Sequence, residues 1–263
     1  MTRPVVLVTG LSGLIGSAFL AREGAAYDVR ELSRCPVTGV VSHQADIADI
    51  EAIAPAFAGV DVVVHLAAAV GAGVPFDDLL RHNIGGTYNV FECARRAGVR
   101  RVVFASSGNT VTAWEREMPY RALVEGRYDE LAGRPWERVA PTALGRPGSL
   151  YGCSKLWGET LGRLYADVHG LSVICLRIGN CSARDRPQGS RELSVWCSQR
   201  DAARGIALAI DAPPSLRYDI FFITSDNRWG YRDLTRSREI LGYVPQDLAE
   251  DHRGSARSAV LGR

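Results

Sequence analysis

The chain passes from an apolar run at residues 5–8 into a turn that reads Thr9-Gly10-Leu11-Ser12-Gly13-Leu14-Ile15-Gly16. Apolar side chains then recur at helical spacing up to Leu20, so the pattern predicts a strand, a turn and a helix. Glycines let such a turn be tight and let its backbone approach a phosphate, which also meets the positive end of the helix dipole. A glycine triplet alone equally serves an ordinary tight turn, but its place between strand and helix favours a pyrophosphate site. The predicted binding residues are Gly10, Ser12, Gly13, Leu14, Ile15 and Gly16.

The alternation of strand and helix continues along most of the chain. Further strands are predicted at residues 29–32, near 40, and at 60–66, 101–106, 171–178 and 219–224, and further helices at 50–57, 76–97, 151–168, 199–210 and 233–241. Runs that are apolar on both faces and alternate with helices are typical of a parallel sheet covered on both sides. We therefore predict an α/β fold, a doubly wound Rossmann-like parallel sheet with helices on both faces and a small C-terminal substrate-binding portion.

One domain, residues 1–263, accommodates all of these elements. A cofactor-binding core is expected at about residues 1–178 and a substrate-binding portion at about 179–250. Within the core, residues 114–149 lose the periodicity and contain four prolines, which predicts an irregular insertion over the surface, of the kind that often forms a lid. The polar tail from Glu250 is expected to be disordered.

The composition favours a globular protein that acts on a small molecule. Of the 263 residues, 46% are hydrophobic, which is enough to build a core, and 31 basic against 29 acidic residues leave a net charge of +2. A net charge this small does not indicate binding to nucleic acid or to an anionic membrane. The six cysteines lack the paired spacing of a zinc site, so free thiols and no metal are expected. No apolar run has the length of a signal segment or a membrane span, so a cytoplasmic location is expected.

Tyr151 and Lys155 lie four residues apart on a predicted helix, and therefore on one face of it. A tyrosine hydroxyl is a poor base near neutral pH, and a nearby ammonium favours its phenolate and lowers its pKa. An exposed tyrosine and lysine at this spacing are common in any protein. Ser106 and Ser107, however, end a predicted strand, where the carboxyl ends of a parallel sheet form the ligand crevice. Together these residues predict acid/base chemistry on an alcohol or a carbonyl.

Several motifs in this order resemble the extended short-chain dehydrogenase/reductase family, which includes the NAD-dependent epimerases and dehydratases. They are the glycine turn, Asn83 in Asn-Ile-Gly-Gly-Thr, the strand end Phe-Ala-Ser-Ser107, the pair of Tyr151 and Lys155, and Arg177-Ile-Gly-Asn180. Within the family the chain resembles the uronate dehydrogenases. That likeness rests on Leu150-Tyr-Gly-Cys-Ser-Lys-Leu-Trp-Gly-Glu159, Arg177-Ile-Gly-Asn-Cys181, Arg191-Glu-Leu-Ser-Val-Trp196 and Leu241-Gly-Tyr-Val-Pro245.

The family resemblance implies the roles of the catalytic residues. Tyr151 would be the acid/base, Lys155 would lower its pKa and bind the nicotinamide ribose, and Ser107 would hydrogen-bond the reacting oxygen. Asn83 would hold a helix irregularity or a proton-relay water, although an ordinary polar helix residue is an equal alternative. Hydride transfer to or from a nicotinamide would make the protein an NAD(P)-dependent oxidoreductase.

The resemblance also implies that a dinucleotide lies across the carboxyl ends of the strands. Asp46 and Ile47 would meet the adenine, although Asp46 could instead cap the helix that follows. Ser33 and Arg34 follow the second strand, where they suit a 2′-phosphate, so NADP is slightly favoured over NAD. Glu31 would bind the ribose of NAD if the strand register were shifted. Further cofactor contacts are expected from Leu66, Ala67, Ala68, Tyr151, Lys155 and Ile178.

The substrate is expected to contact a set of residues around the catalytic ones. These are Ser107, Gly108, Asn109, Tyr151, Asn180 and Arg191. Arg191 stands where uronate dehydrogenases bind the substrate carboxylate, for which a planar guanidinium with parallel donors is well suited; an ordinary surface arginine is an equal alternative. The chain departs from the uronate dehydrogenase pattern where Ala67-Ala-Ala-Val-Gly71 lacks a serine, Gly108 replaces an asparagine, Asn109 a histidine and Asn180 a serine. An acidic, uronate-like sugar is the best expectation, and the exact substrate stays open.

Three functions stay open from the sequence. The leading one is an NAD(P)-dependent oxidoreductase that acts on a hydroxyl or carbonyl of a sugar. A nucleotide-sugar epimerase or dehydratase would use the same tyrosine and lysine, but the region after Ile178 is short for a pocket that also holds a diphosphate. A non-catalytic dinucleotide-binding regulator would have no need of Ser107, Tyr151 and Lys155. The resemblance further implies a homodimer packed through the helices at 76–97 and 151–168.

Overall fold

A parallel sheet of seven strands lies at the centre of the computed structural model, which describes residues 3–71, 73–131 and 133–252. The strands are β1 (Val5–Thr9), β2 (Asp28–Ser33), β3 (Val41–Gln44), β4 (Val62–His65), β5 (Arg101–Ser107), β6 (Ser172–Ile178) and β7 (Tyr218–Ile223). They pair in the order β3-β2-β1-β4-β5-β6-β7, and each pair is parallel. The predicted doubly wound sheet is confirmed. Its order reverses between β1 and β4, so their carboxyl ends border the crevice in which such sheets bind ligands.

Helices cover both faces of this sheet, as predicted. They are α1 (Leu14–Glu23), α2 (Ile50–Ile53), α3 (Phe76–Asp78), α4 (Thr87–Arg96), α5 (Tyr120–Glu125), α6 (Leu150–His169), α7 (Glu192–Val195), α8 (Gln199–Asp211) and α9 (Thr235–Leu241). Phe19 of α1 and Ile206 of α8 are fully buried in the core on one face. Ile53 of α2, Phe91 of α4 and Tyr165 of α6 lie in the core on the other face. The strands are apolar on both sides because they separate these two cores.

The helix predicted at residues 76–97 is continuous but changes its pitch. α3 leads into a π-helix at Leu79–Gly86, and this leads into α4. Gly98 follows the helix with a φ of 72°, the left-handed conformation that is typical of the residue just after a helix C-terminus. π-Helical turns within α-helices are frequent at functional sites, and Asn83 lies in this one.

The segment at residues 114–149 is more regular than the sequence predicted. It contains α5, whose Tyr120 and Leu123 are buried in a third apolar cluster. Its backbone is tied to the C-terminal portion, because the Val139 amide donates to the Tyr231 carbonyl at 2.7 Å. A six-residue helix is too short to show a clear period in the sequence. The segment therefore packs on the molecule instead of crossing its surface irregularly.

The portion of the chain after β6 completes the same sheet. It supplies β7 at the sheet edge and α8, whose apolar face joins the core that α1 also covers. The tail begins with a 3-10 turn at Ala249–His252, so its first residues are ordered, and residues 253–263 lie outside the described part of the chain.

Helix length, cysteines and potential metal ligands were compared across the described residues. No helix among them has the length and apolar character needed to cross a membrane. All six cysteines are free thiols, and no cluster of three or more potential metal ligands is found in the described ranges.

Candidate active site

A cavity of about 740 Å³ opens at the carboxyl ends of the strands. It is lined by every predicted site residue apart from Asn83. Those residues are Gly10, Ser12, Gly13, Leu14, Ile15, Gly16, Ser33, Arg34, Asp46, Ile47, Leu66, Ala67, Ala68, Ser107, Gly108, Asn109, Tyr151, Lys155, Ile178, Asn180 and Arg191. The fold thus brings the glycine turn, the tyrosine and lysine pair and the expected substrate residues into one space.

The glycine turn forms a cradle in which Gly10 and Gly16 have no room for a side chain. Gly10 has a φ of 72°, and a Cβ there would lie 2.9 Å from the Ala67 amide nitrogen. A Cβ on Gly16 would lie 2.5 Å from the Leu11 carbonyl oxygen. α1 begins at Leu14 with no capping side chain and no acid in its first turn, so its first amides stay available to an anion. These features fit the pyrophosphate of a dinucleotide.

The end of β2 presents Ser33 and Arg34 to the cavity, and Glu31 lies beneath them. Glu31 is fully buried and does not line the cavity. Its carboxylate accepts hydrogen bonds from the Ser33 hydroxyl at 2.8 Å, the Val37 amide at 2.6 Å and the Ser42 hydroxyl at 2.8 Å. The register that would bring Glu31 to a ribose is therefore not the one observed.

Asp46 lines the cavity and does not cap α2. Its carboxylate accepts from the Ala48 amide and from Arg81, each at 3.0 Å. The cap of α2 is Asp49, which accepts from the Ala52 amide at 3.1 Å. Asp46 is thus left beside Ile47 at the expected adenine end.

Ser107, Tyr151 and Lys155 converge where β5 ends. Ser149 caps α6 by accepting from the Gly152 amide at 3.2 Å, which places Tyr151 in the first turn of that helix. Lys155, one turn later, donates to the Ala105 carbonyl at 2.8 Å, and its Nζ lies 5.8 Å from the centre of the Tyr151 ring. Both side chains are buried.

Burial dominates the protonation of this pair. It raises the pKa of Tyr151, and a hydrogen bond with the Ser107 hydroxyl only partly offsets that effect. It lowers the pKa of Lys155 from 10.5 to about 8, with the Glu159 carboxylate acting in the opposite direction. The lowered tyrosine pKa expected from the Lys155 ammonium is therefore not found in the protein by itself, because burial of the Tyr151 hydroxyl outweighs the hydrogen bond that stabilises its phenolate.

Asn83 lies behind the cavity wall and organises it. Its side-chain oxygen accepts from the Ala69 amide at 2.8 Å, and its nitrogen donates to the Ala69 carbonyl and to the Ser154 hydroxyl, each at 3.0 Å. These bonds tie the π-helix to the loop after β4 and to α6, next to Lys155. The arrangement agrees with the helix-irregularity role and uses both donors of the amide.

Two carboxylates hold the polar side chains at the end of the cavity where the substrate is expected. Asn180 donates to Glu192 at 2.8 Å. Arg191 donates from Nε and Nη2 to the two oxygens of Glu115, at 2.7 and 2.8 Å. The guanidinium expected to bind a substrate carboxylate therefore already pairs with a carboxylate of the protein, and its Nη1 is the nitrogen outside that pair.

Sequence analysis missed Glu115 and Arg232 at this end of the cavity. Arg232 is buried, lines the cavity and lies against Gly108. Both residues fall in stretches without a clear period, so no pattern singled them out. The available signal was Gly108 itself, because a glycine in place of a larger residue leaves room for a neighbour.

Comparisons with known proteins agree with this geometry. Residues 6–196 match the family described as NAD dependent epimerase/dehydratase. The NAD-dependent glucose-6-phosphate dehydrogenase of Haloferax volcanii is 39% identical to this chain over 261 residues, covering 94% of each protein. The L-arabinose 1-dehydrogenase (NAD(P)(+)) of the same organism is 34% identical over 253 residues, covering 92% of this chain and 96% of that protein. The crystal structure of uronate dehydrogenase from Agrobacterium tumefaciens has a TM-score of 0.81 and 31% identity, covering 98% of this chain and 90% of that chain.

Proposed function

Because the chain belongs to the NAD dependent epimerase/dehydratase family, we propose that it is a dehydrogenase that oxidises a hydroxyl of an anionic monosaccharide with a nicotinamide dinucleotide. The observation that carries this proposal is the convergence of Ser107, Tyr151 and Lys155 in the cavity that the glycine turn also lines. A protein that only binds a dinucleotide has no use for a buried proton acceptor at that position.

The residues of the chain account for binding and for proton transfer. Ser107 and Tyr151 would hold the substrate oxygen between their hydroxyls, and Tyr151 would accept its proton. Lys155 would bind the ribose next to the nicotinamide and stabilise the phenolate. When bound, the oxidised nicotinamide supplies a hydride acceptor and a positive charge. The positive charge would favour the Tyr151 phenolate and so oppose the effect of burial, which raises the pKa of Tyr151 in the protein alone.

An anionic sugar is supported by the relatives and by the cations of the cavity. Two relatives are named for anionic sugars, one as a glucose-6-phosphate dehydrogenase and the other as a uronate dehydrogenase. Arg191 and Arg232 line this cavity at its substrate end. A buried anion without a partner carries a heavy desolvation cost, so such a pocket needs cations. The expected substrate contacts Gly108, Asn109 and Asn180 line the same cavity.

The same cavity supports binding of both NAD and NADP. The relatives include an enzyme named NAD-dependent and one named for NAD(P). At the end of β2, Ser33 and Arg34 line the cavity while Glu31 is held below it. An arginine can bind a 2′-phosphate, and no acidic side chain of β2 faces the cavity in the described structure to repel it. We therefore retain NADP as slightly favoured.

A homodimer is supported by apolar side chains on two helices that pack side by side. Phe76 and Leu80, at the start of the π-interrupted helix, are exposed, and so are Leu164 and Val168 of α6. These are the helices through which the family resemblance implies association. Exposed apolar groups on adjacent elements are typical of a face that a partner covers.

The test of the proposed function is a substrate screen that follows reduced nicotinamide by its absorbance. Glucose 6-phosphate, glucuronate, galacturonate, L-arabinose, glucose and UDP-glucose would each be offered with NAD and with NADP. Stoichiometric formation of reduced cofactor with an anionic monosaccharide is expected. Conversion of UDP-glucose without net reduction would instead identify an epimerase or a dehydratase.

A further inference from the structure

We propose that Arg232 supplies the positive charge that binds the anionic group of the substrate, and that Gly108 makes the room in which it does so. This inference rests on the proposed function and assigns that function's charge recognition to one residue. The anionic group is a phosphate or a carboxylate on the sugar, which share the chemistry that a guanidinium recognises.

The charge of Arg232 is unpaired in the described protein. The residue is 4% exposed, and its Nε and Nη1 are buried without a hydrogen-bond partner in the described residues. No carboxylate in the described ranges lies within ion-pair distance of it. Its guanidinium lies 5.9 Å from the ring centre of Phe222 and 5.4 Å from that of Tyr231, contacts that compensate only part of the lost hydration. A buried cation without a partner is stabilised strongly when an anion binds beside it.

The arginines around it are already neutralised. Arg177, whose guanidinium also lies over Phe222, is buried and bonds both oxygens of Glu159 at 2.8 Å. Arg191 is paired with Glu115. Of these three arginines, Arg232 is therefore the one whose charge has no carboxylate partner in the described residues.

Gly108 fixes where that charge lies. A Cβ on Gly108 would lie 2.2 Å from Nη2 of Arg232, 2.4 Å from its Cζ and 2.6 Å from its Nη1. The guanidinium thus rests directly on the Gly108 backbone, one residue from the Ser107 hydroxyl that faces Tyr151. Any larger residue at 108 would displace Arg232 from the catalytic residues. Gly108 is also one of the positions at which the chain departs from the uronate dehydrogenase pattern.

The backbone that carries Arg232 is held on both sides. Val139 pairs with the extended segment that contains Arg232. Its amide donates to the Tyr231 carbonyl at 2.7 Å, and its carbonyl accepts from the Asp233 amide at 2.9 Å. The Tyr231 hydroxyl donates to Glu115 at 2.7 Å. The segment at residues 114–149 therefore serves to position this arginine for a ligand, since a preorganised cation loses little entropy on binding.

The experiment compares Arg232→Met with Arg228→Met, which replaces an exposed arginine on the same segment. The specificity constant kcat/KM would be measured for glucose 6-phosphate, glucuronate and neutral glucose. Arg232→Met is expected to lose roughly tenfold or more with the anionic substrate and less than about twofold with glucose, since a charge-assisted bond is lost only in the first case. Arg228→Met should behave as wild type. The anionic sugar with the larger loss identifies phosphate or carboxylate.

A binding measurement makes the inference independent of turnover. Calorimetric titration of the NAD-loaded protein with inorganic phosphate should show binding in wild type and Arg228→Met and a loss of it in Arg232→Met and Gly108→Ala. Without anion, Arg232→Met should unfold at a higher temperature than wild type, because it removes an unpaired buried charge. That rise also shows that the variant is folded.

The outcomes separate this inference from the proposed function. Equal losses with charged and neutral sugars, or full phosphate binding by Arg232→Met, would overturn the role of Arg232 and leave a dehydrogenase. Phosphate binding that depends on Arg232, without oxidation of any sugar, would support the anion site and overturn the proposed reaction.

Discussion

Glu115 holds the guanidinium of Arg191 through two parallel hydrogen bonds, Nε to Oε2 at 2.7 Å and Nη2 to Oε1 at 2.8 Å. The same carboxylate accepts from the Tyr231 hydroxyl at 2.7 Å, so two groups from distant parts of the chain meet on it. Arg191 therefore contributes a donor to the cavity but little net charge, whereas a cation free of such a partner would contribute both.

Glu115→Gln should strengthen the binding of an anionic sugar. The substitution keeps the shape of the side chain and one acceptor oxygen but removes the charge that neutralises Arg191. We expect KM for the anionic substrate to fall by roughly threefold or more, in line with the energy of a charge-assisted bond, while KM for L-arabinose changes little. Steady-state kinetics on both sugars decide it. A rise in both KM values would mean that Glu115 acts only by positioning Arg191.

Tyr151→Phe should abolish most turnover without loss of the cofactor. The variant removes one hydroxyl from a buried ring, so kcat is expected to fall by about a hundredfold or more, the usual contribution of positioned proton transfer. Dissociation constants for NAD and NADP, from fluorescence titration, should stay within a few fold. Retention of more than about a tenth of the wild-type rate would rule out the acid/base role.

Lys155 should make the stability of the cofactor-free protein depend on pH. Its pKa is lowered from 10.5 to about 8 by burial. Below about pH 8 the ammonium is charged in both states, and its burial costs the folded protein. Between about pH 8 and pH 10.5 the unfolded chain binds more protons than the folded one, so the free energy of unfolding rises with pH.

The matched variant for this prediction is Lys155→Met, which lacks the titrating group. Urea unfolding measures the free energy of unfolding of both proteins. From about pH 8 to pH 10, the value for wild type should rise relative to that of the variant by on the order of 2 kcal/mol. The difference between the two proteins cancels the titration of their shared tyrosines. A constant difference across this range would mean that the Lys155 pKa is not lowered.

Arg34→Ala should weaken NADP selectively. Arg34 lines the cavity beside Ser33, while Glu31 is held below it. Loss of a charge-assisted bond to the 2′-phosphate is expected to raise KM for NADP by roughly tenfold, with KM for NAD within about twofold. Titration of both proteins with both cofactors provides the measurement. A clear preference for NAD in wild type that is unchanged in Arg34→Ala would contradict the predicted preference.

Leu164→Glu should convert the proposed homodimer to a monomer. Leu164 is 50% exposed on α6, and a carboxylate there would be buried without a partner in a dimer packed through that helix. Light scattering after size-exclusion chromatography measures the mass. Leu144→Glu is the control, because Leu144 is 82% exposed in another part of the molecule and its substitution should leave the mass unchanged. A wild-type monomer, or a dimer in both variants, would exclude this interface.

Part of the site was predictable because its signals are local. The glycine turn lies between a strand and a helix whose hydrophobic patterns are each recognisable within about ten residues. Tyr151 and Lys155 are one helical turn apart. The sequence could not show that Ala105 accepts from Lys155, or that burial raises the pKa of Tyr151. Those effects depend on packing between α6 and β5. They can be seen only in the three-dimensional structure, because the spacing of residues along the chain does not show which groups lose contact with water.

By itself the sequence determined the parallel sheet, its two helical layers and the cleft in which chemistry occurs, since periodicity and strand ends are properties of neighbouring residues. The tertiary structure decided the charges at the substrate end. It placed Glu115 on Arg191 and left Arg232 unpaired against Gly108, although these residues lie far apart in the chain. Which carboxylate meets which arginine depends on how the segment at 114–149 packs on the C-terminal portion, and nothing local in either stretch specifies that pairing.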